Sequence, residues 1–370
     1  MEQKEILFSK SMTADKRNED FAYFRNNLFD SRHGGLYPSH QFSAIDIGIN
    51  ASKQVMFIDA IASSTPSTTI FPRRIIVQNG ADLELYVEGT TTPFATLAGA
   101  TFVGAVTANE VINVCVLQGG VHKMVFIFLI GAPQTVLLTN NITGNIPLRY
   151  GVFDGLYIYW ATNTSNSPIY RTASQSSVPT QVFADVGGNI DALETFNEQI
   201  IVCDETWNNI NIFFWGKSSS SLYDKRIIVK NSRFLAIGQV EGRLILVHTV
   251  GNSTNIKERA GEIVVSAYDG EKFVRINSIN AGNNTVSRAS PYKANYAIGN
   301  GVIVLGIDNN YNQKSQIYQN HLLKIYPDGR IETLWQSSVT SLVPYSIHMG
   351  MTLLHFLLTT LTEIHRSKVF

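Results

Sequence analysis

Seven turns of one kind recur along this chain, and their spacing limits the fold more than any other feature. Each is a Gly, Asn or acidic turn between two apolar alternating runs: "GINAS" at Asn50, "VTANEV" at Asn109, "VFDGLYIYW" at Gly155, "TFNEQIIV" at Glu198, "VEGRLILV" at Gly242, "GNGVIVLG" at Gly301 and "HMG" at Gly350. Successive positions differ by 59, 46, 43, 44, 59 and 49 residues. The shorter spacings fit one four-stranded propeller blade of about 40–50 residues. The two longer ones contain runs of turn residues, "SSTPSTT" at 63–69 and "NAGNNTVSRASP" at 280–291, which read as insertions.

One unit reads through as "NIDALETFNEQIIVCDETWNNINIFFWG" followed by "DKRIIVK": four strands with turns at Asn197-Glu198, at Asn208-Asn209 and in the serine run 218–221. In the next unit, Glu241-Gly242 and Asp269-Gly270 are acidic-Gly pairs of the type that supply positive φ in tight hairpins. Residues 43–350 carry no sustained 3.6-residue stripe, so helices are not expected there. The expected fold is all-β, a β-propeller of about seven four-stranded blades over 43–350 with the last blade incomplete. A β-sandwich or several small β domains is the alternative.

Residues 1–42 read as a leader segment, and 351–370 as an aberrant tail. After Gly350 a strand like "VIVLGIDNN" is due, but "MTLLHFLLTTLTEIHRSKVF" lacks the alternation. Read one nucleotide earlier with free choice of third bases, the codons permit YDSITFSANDTNGDSQIESF, which parallels "GVIVLGIDNNYNQKSQI". The tail is therefore expected to be out of frame, with the last blade truncated and an unpaired edge open to self-association. A genuine amphipathic helix over "LLHFLLTTLTEIHRS" is the alternative.

Composition narrows the function classes. The chain of 370 residues is 44% hydrophobic and 16% charged, with 29 basic residues balancing 29 acidic ones. Such a neutral surface gives no electrostatic reason to seek nucleic acid or an anionic membrane. The apolar "MTLLHFLLTTL" is too short to span a bilayer, which needs about 20 residues, and the first 30 residues hold no signal-peptide core. Cys115 and Cys203 lie inside strand-like apolar runs and read as small buried hydrophobes.

No constellation names a reaction or a cofactor. Asp308, Asn310 and Asn312 in "GIDNNYNQKSQ" place oxygen side chains at alternate positions, as a calcium loop does. Gln313 and Gln319 stand where that loop needs Gly and a bidentate Glu, so a polar hairpin loop is the better reading. Asp46 and Asp191 fall in first strands and could make a glycosidase pair only if they lay about 5–10 Å apart. Capping and turn roles explain them more cheaply. The eight histidines show no metal-ligand spacing, and no GxSxG or Walker loop is present. Asn50, Asn141, Asn163, Asn252 and Asn283 match the N-glycosylation pattern, which an Asn- and Thr-rich chain produces by chance. Tyr157, Tyr159, Trp160, Trp207, Phe213, Phe214 and Trp215 cluster in two consecutive units. Packing between blades accounts for most of them; Trp207, beside Asn208-Asn209, is the candidate for a sugar-stacking or docking rim.

The leader "ILFSKSMTADKRNEDFAYFRNNLFDSRHGGLYPSH", residues 6–40, resembles the opening of propeller-type structural proteins of uncultured tailed bacteriophages. Phe8, Ser9, Lys10, Met12, Asp15, Arg17 and Tyr37-Pro38 carry the likeness, and Ser11 stands where the phrase usually has Gly. The resemblance implies a non-catalytic virion or tail component, assembled in the host cytoplasm, whose partners are other virion proteins or a host-surface glycan or protein. The rival expectation is a cellular propeller that binds or cleaves carbohydrate.

Overall fold

The computed structural model describes residues 28–30, 36–38, 53–59, 74–87, 90–129, 138–162, 168–183, 190–206, 209–217, 223–250, 262–280, 285–288, 296–299, 301–310, 320–337, 343–349, 354–359 and 366–369. They form antiparallel sheets and one 3-10 turn, Thr143–Asn145. Seven sheets follow one another in chain order. The first contains Gln54–Asp59, Arg74–Asn79, Asp82–Val87 and Ala95–Leu97, and the second Ala100–Ala108, Val111–Gln118, Val121–Phe128 and Leu138–Asn141. The third is built from Tyr150–Phe153, Ile158–Ala161, Ile169–Thr172 and Thr180–Phe183, and the fourth from Ile190–Phe196, Gln199–Thr206, Asn209–Trp215 and Lys225–Lys230. Ser232–Val240, Arg243–Val250, Glu262–Tyr268 and Phe273–Asn280 make the fifth.

The sixth sheet has a divided first strand. Thr285–Arg288 and Tyr296–Gly299 both pair with Val302–Asn310, which is followed by Asn320–Ile325 and Ile331–Ser337. The run 280–291, expected to be an insertion of turn residues, thus contributes backbone to the sheet. The seventh sheet has three strands, Val343–Met349, Leu354–Thr359 and Arg366–Val369. Residues 354–359 are therefore extended and hydrogen-bonded to 343–349, not helical as the alternative reading of the tail required. A separate two-stranded ribbon, Leu28–Asp30 with Leu36–Pro38, precedes the first sheet.

The first strand of every sheet packs against the first strands of both neighbours, and Val343–Met349 of the seventh lies against Gln54–Asp59 of the first. The sheets therefore form a closed ring, the architecture of a β-propeller. Each sheet here draws its strands from one contiguous stretch of chain, so packing at the centre closes the ring. The hydrophobic cores sit on the seams between sheets, as that geometry demands. One unites Ile76, Leu85, Ile112 and Val125 of the first two sheets, another Val106, Phe126, Ile158 and Trp160 of the second and third. A third joins Tyr159 and Phe183 to Phe213 and Trp215, and the largest runs from Ile201 through Leu246 to Leu305 across sheets four to six.

Five of the seven expected turns fall among the described residues, and all five connect the first and second strands of a sheet. Asn109-Glu110, Asn197-Glu198 and Glu241-Gly242 have positive φ at both positions, which matches a two-residue turn to the right-handed twist of the strands it joins. Asn50 and Gly350 lie outside the described residues. Asp269-Gly270 divides its labour. Gly270 takes the positive φ, while the Asp269 carboxylate accepts hydrogen bonds from the amides of Glu271 and Lys272, 2.8 Å each.

Candidate functional site

Aligned on their first turns, the sheets can be compared position by position, and one end of the fourth stands apart. Six residues before the turn, the first strands of sheets two, four and five each carry a bulge, at Val103, Asp191 and Leu235. The bulged residue is left out of the ladder and the strand twists more sharply there. Asp191 is the polar member of that set. Six residues after the turn's second residue, the second strands of sheets two, four, five and six carry Val116, Asp204, His248 and Ile307. Two apolar residues and two titratable ones thus occupy one buried column.

Asp191, Asp204, Glu205, Asn211 and Arg226 meet where the second strand of sheet four ends, just before Trp207. Asp204 is 2% exposed. Its Oδ2 accepts from Asn211 Nδ2 at 3.3 Å, and its Oδ1 has no hydrogen-bond partner among the described residues. The Asn211 Oδ1 accepts from Arg226 Nη2 at 2.8 Å, which fixes the amide so that its NH2 faces Asp204. Asp191 Oδ2 accepts from the Glu205 amide at 2.7 Å. Glu205 reaches into sheet five, where one oxygen accepts from the Phe234 amide at 3.0 Å and the other lies 3.3 Å from Arg233 Nε. The group is both a cluster of acids and a bridge between two sheets.

Burial pushes the Asp204 carboxyl up to about 6, and the charges of Asp191 and Glu205 add to the effect against the pull of Asn211 and Arg226. Glu84 in sheet one makes the contrast clear. Its two oxygens accept from Lys53 at 2.6 Å, Tyr86 at 2.5 Å and Asn79 at 2.9 Å, and this satisfaction outweighs burial and holds the carboxyl below its ordinary range. In sheet five, burial pulls the His248 imidazole down; its ring nitrogens lie 3.1 Å from Ser232 Oγ and 3.1 Å from Ser266 Oγ, a hydrogen-bonded row across three strands.

The residues singled out by sequence distribute as follows. Asp191 has a structural role at its bulge, and Asp46, its expected partner, lies outside the described residues. Asp308 and Asn310 belong to the strand Val302–Asn310, with Asp308 opposite Ser287 and Asn310 opposite Thr285, so these two positions are extended; the rest of the expected hairpin loop, 311–319, lies outside the described residues. Asn312, Trp207, Asn50, Asn163, Asn252 and Asn283 lie outside the described residues; Asn141 is exposed at the end of its strand. No three acidic, His or Cys side chains among the described residues are placed to share a metal ion. Among the same residues, no helix is long and apolar enough to cross a membrane. Tyr159, Trp160, Phe213, Phe214 and Trp215 are buried, with Trp215 edge-on to Tyr159 and Phe183 at centroid distances of 5.7 and 5.6 Å. Cys115 and Cys203 are both buried thiols, and burial lifts the Cys115 thiol to about 12. Sequence reading missed Asp204 because "QIIVCDETWN" reads as a strand running into a polar turn. Aligning the sheets on their turns exposes it.

No protein-family model and no curated protein sequence matches the chain. Solved structures do. The Dos1 propeller superposes with a TM-score of 0.54 at 6% identity, covering 92% of this chain and 80% of that one. The AfRom2 CNH domain gives 0.53 at 8% identity over 89% and 99% of the two chains. YCF48 bound to a D1 peptide gives 0.52 at 11% identity over 88% and 95%. At such identities the likeness is one of fold, and that fold is the β-propeller.

Proposed function

We propose that this chain is a non-catalytic binding and structural propeller of a tailed-phage particle, serving in virion or tail assembly or in contact with the host surface. The observation that carries the binding half is how the side chains are used. Trp160, Trp215 and their aromatic neighbours serve the seams between sheets, and Glu84 and Glu205 fix strands, while among the described residues the turns Asn109-Glu110, Gly155-Leu156 and Glu241-Gly242 are exposed and open to a partner. YCF48, of similar fold, was solved with a peptide bound, which supports a protein partner. The particle half is supported by the leader phrase around Phe8–Met12 and Tyr37-Pro38.

Sequencing the DNA flanking the gene tests the particle half. Terminase, portal or tail genes alongside it are the expected result; transporters and sugar-processing enzymes would contradict it. A second reading, carbohydrate binding or cleavage, is favoured by the acids Asp191 and Asp204, which lie close enough to interact electrostatically at one end of sheet four. A glycan array decides it: bound glycans and loss of binding in Trp207→Ala support that reading, and a blank array removes it.

A further inference from the structure

The end of sheet four holds a carboxyl that the described residues leave half satisfied, and its surroundings point one way. Asp204 is buried, and among the described residues its Oδ1 lacks a partner and its one donor, Asn211, is at the long distance of 3.3 Å. Among the described residues, the ionisable groups facing it are Asp191 from the first strand, Glu205 from its own strand and Arg226 from the outermost strand, while Arg233 of sheet five is engaged with Glu205. Two acids and one exposed cation leave a buried anion under-compensated, and an unpaired buried charge costs far more than an unpaired neutral acid. Val116 and Ile307 hold the same position in sheets two and six, so nothing in the repeat itself asks for a carboxyl there.

We propose that Asp204 is an acid-operated latch on the seam between sheets four and five: proton uptake from solvent neutralises it at mildly acidic pH and tightens the seam, and its ionisation at neutral pH loosens it. Glu205 transmits the change, because its amide is held by Asp191 and its carboxylate holds Phe234 and Arg233 of sheet five. When Asp204 loses its proton, the repulsion falls on the two acids that make this bridge. The latch is independent of the partner that the propeller binds.

The sign follows from linkage. A carboxyl that titrates near 6 when folded and near 3.8 when unfolded binds protons about a hundredfold more tightly in the folded state. Its contribution is therefore absent above pH 6, grows as pH falls through 6, and is complete below 3.8. Asp204→Asn is isosteric with the neutral acid and cannot ionise. The unfolding constants of wild type and Asp204→Asn are to be compared from urea titrations at pH 7.5 and pH 5. The expected result is a wild-type to variant ratio that falls about tenfold on going to pH 5, the variant being the more stable at pH 7.5. A ratio that does not change with pH overturns the proposal. Hydrogen exchange, corrected for intrinsic rates, supplies the local readout. Amides of Glu205 and Phe234 should gain protection at pH 5 in wild type and not in the variant; equal gain in both, or gain spread evenly around the ring, would count against a latch at this seam.

Discussion

Substituting Gly104 by Ala probes how closely the strands converge at the centre of the ring. Gly104 lies in the first strand of sheet two, directly after the bulge at Val103. A Cβ there would lie 2.2 Å from the Arg149 carbonyl oxygen and 2.7 Å from that of Leu148, where ordinary contact begins at 3.4 Å. Backbone must therefore move by about 1 Å, and it is poorly placed to do so: Leu148 is fully buried and the Arg149 amide donates to Ala161 O at 2.9 Å. Overpacking of this kind costs ~1–3 kcal/mol, and an obstruction made of anchored backbone belongs at the upper end, about 3 kcal/mol. Gly80→Ala is the control. Its Cβ would meet nothing within 4 Å, so it pays only for its positive φ of 58°, ~1–2 kcal/mol. Urea unfolding followed by tryptophan fluorescence measures both. A loss for Gly104→Ala no larger than that for Gly80→Ala would refute the claim that the ring is closed by close approach of its innermost strands.

Three further outcomes follow from other contacts. Trp215→Ala removes the ring wedged between Tyr159 and Phe183 and should cost ~3–5 kcal/mol in the same assay, whereas a surface role for Trp215 would leave stability within ~0.5 kcal/mol of wild type. Glu205→Ala leaves the Phe234 amide without its acceptor and should cost ~1–3 kcal/mol, with faster hydrogen exchange at Phe234; unchanged exchange there would show that the bridge is not formed. His248 titrates below 6.5 in the folded chain because burial disfavours its charged form, so its stabilising share is present above pH 6.5 and is lost as pH falls through the folded value. His248→Gln should abolish that part of the acid sensitivity, and an identical pH profile for the variant would contradict it.

How much of this was legible in the sequence depended on whether a feature is local. The turns were legible because the backbone chemistry of Asn197-Glu198 and Glu241-Gly242 is written in adjacent residues, and the four strands of sheet four follow from alternation between them. The bulges were not, since a bulge exists only in the register between two strands and Val103, Asp191 and Leu235 share no chemistry. Gly104 looks like any glycine in a strand until the carbonyls of Leu148 and Arg149, more than forty residues away, are seen against it. The strand Thr285–Arg288 was hidden in a run of Asn, Gly, Ser and Pro, where pairing to 307–310 outweighs local propensity. Asp204 was invisible as a site because its meaning lies in what sheets two and six place in the same column.

The ring itself is tested most directly by a crystal structure of the protein. The account predicts seven antiparallel sheets around one axis, with Val343–Met349 seated beside Gln54–Asp59. An open arc that leaves those two strands apart, or two stacked sandwiches built from the same residues, would contradict it.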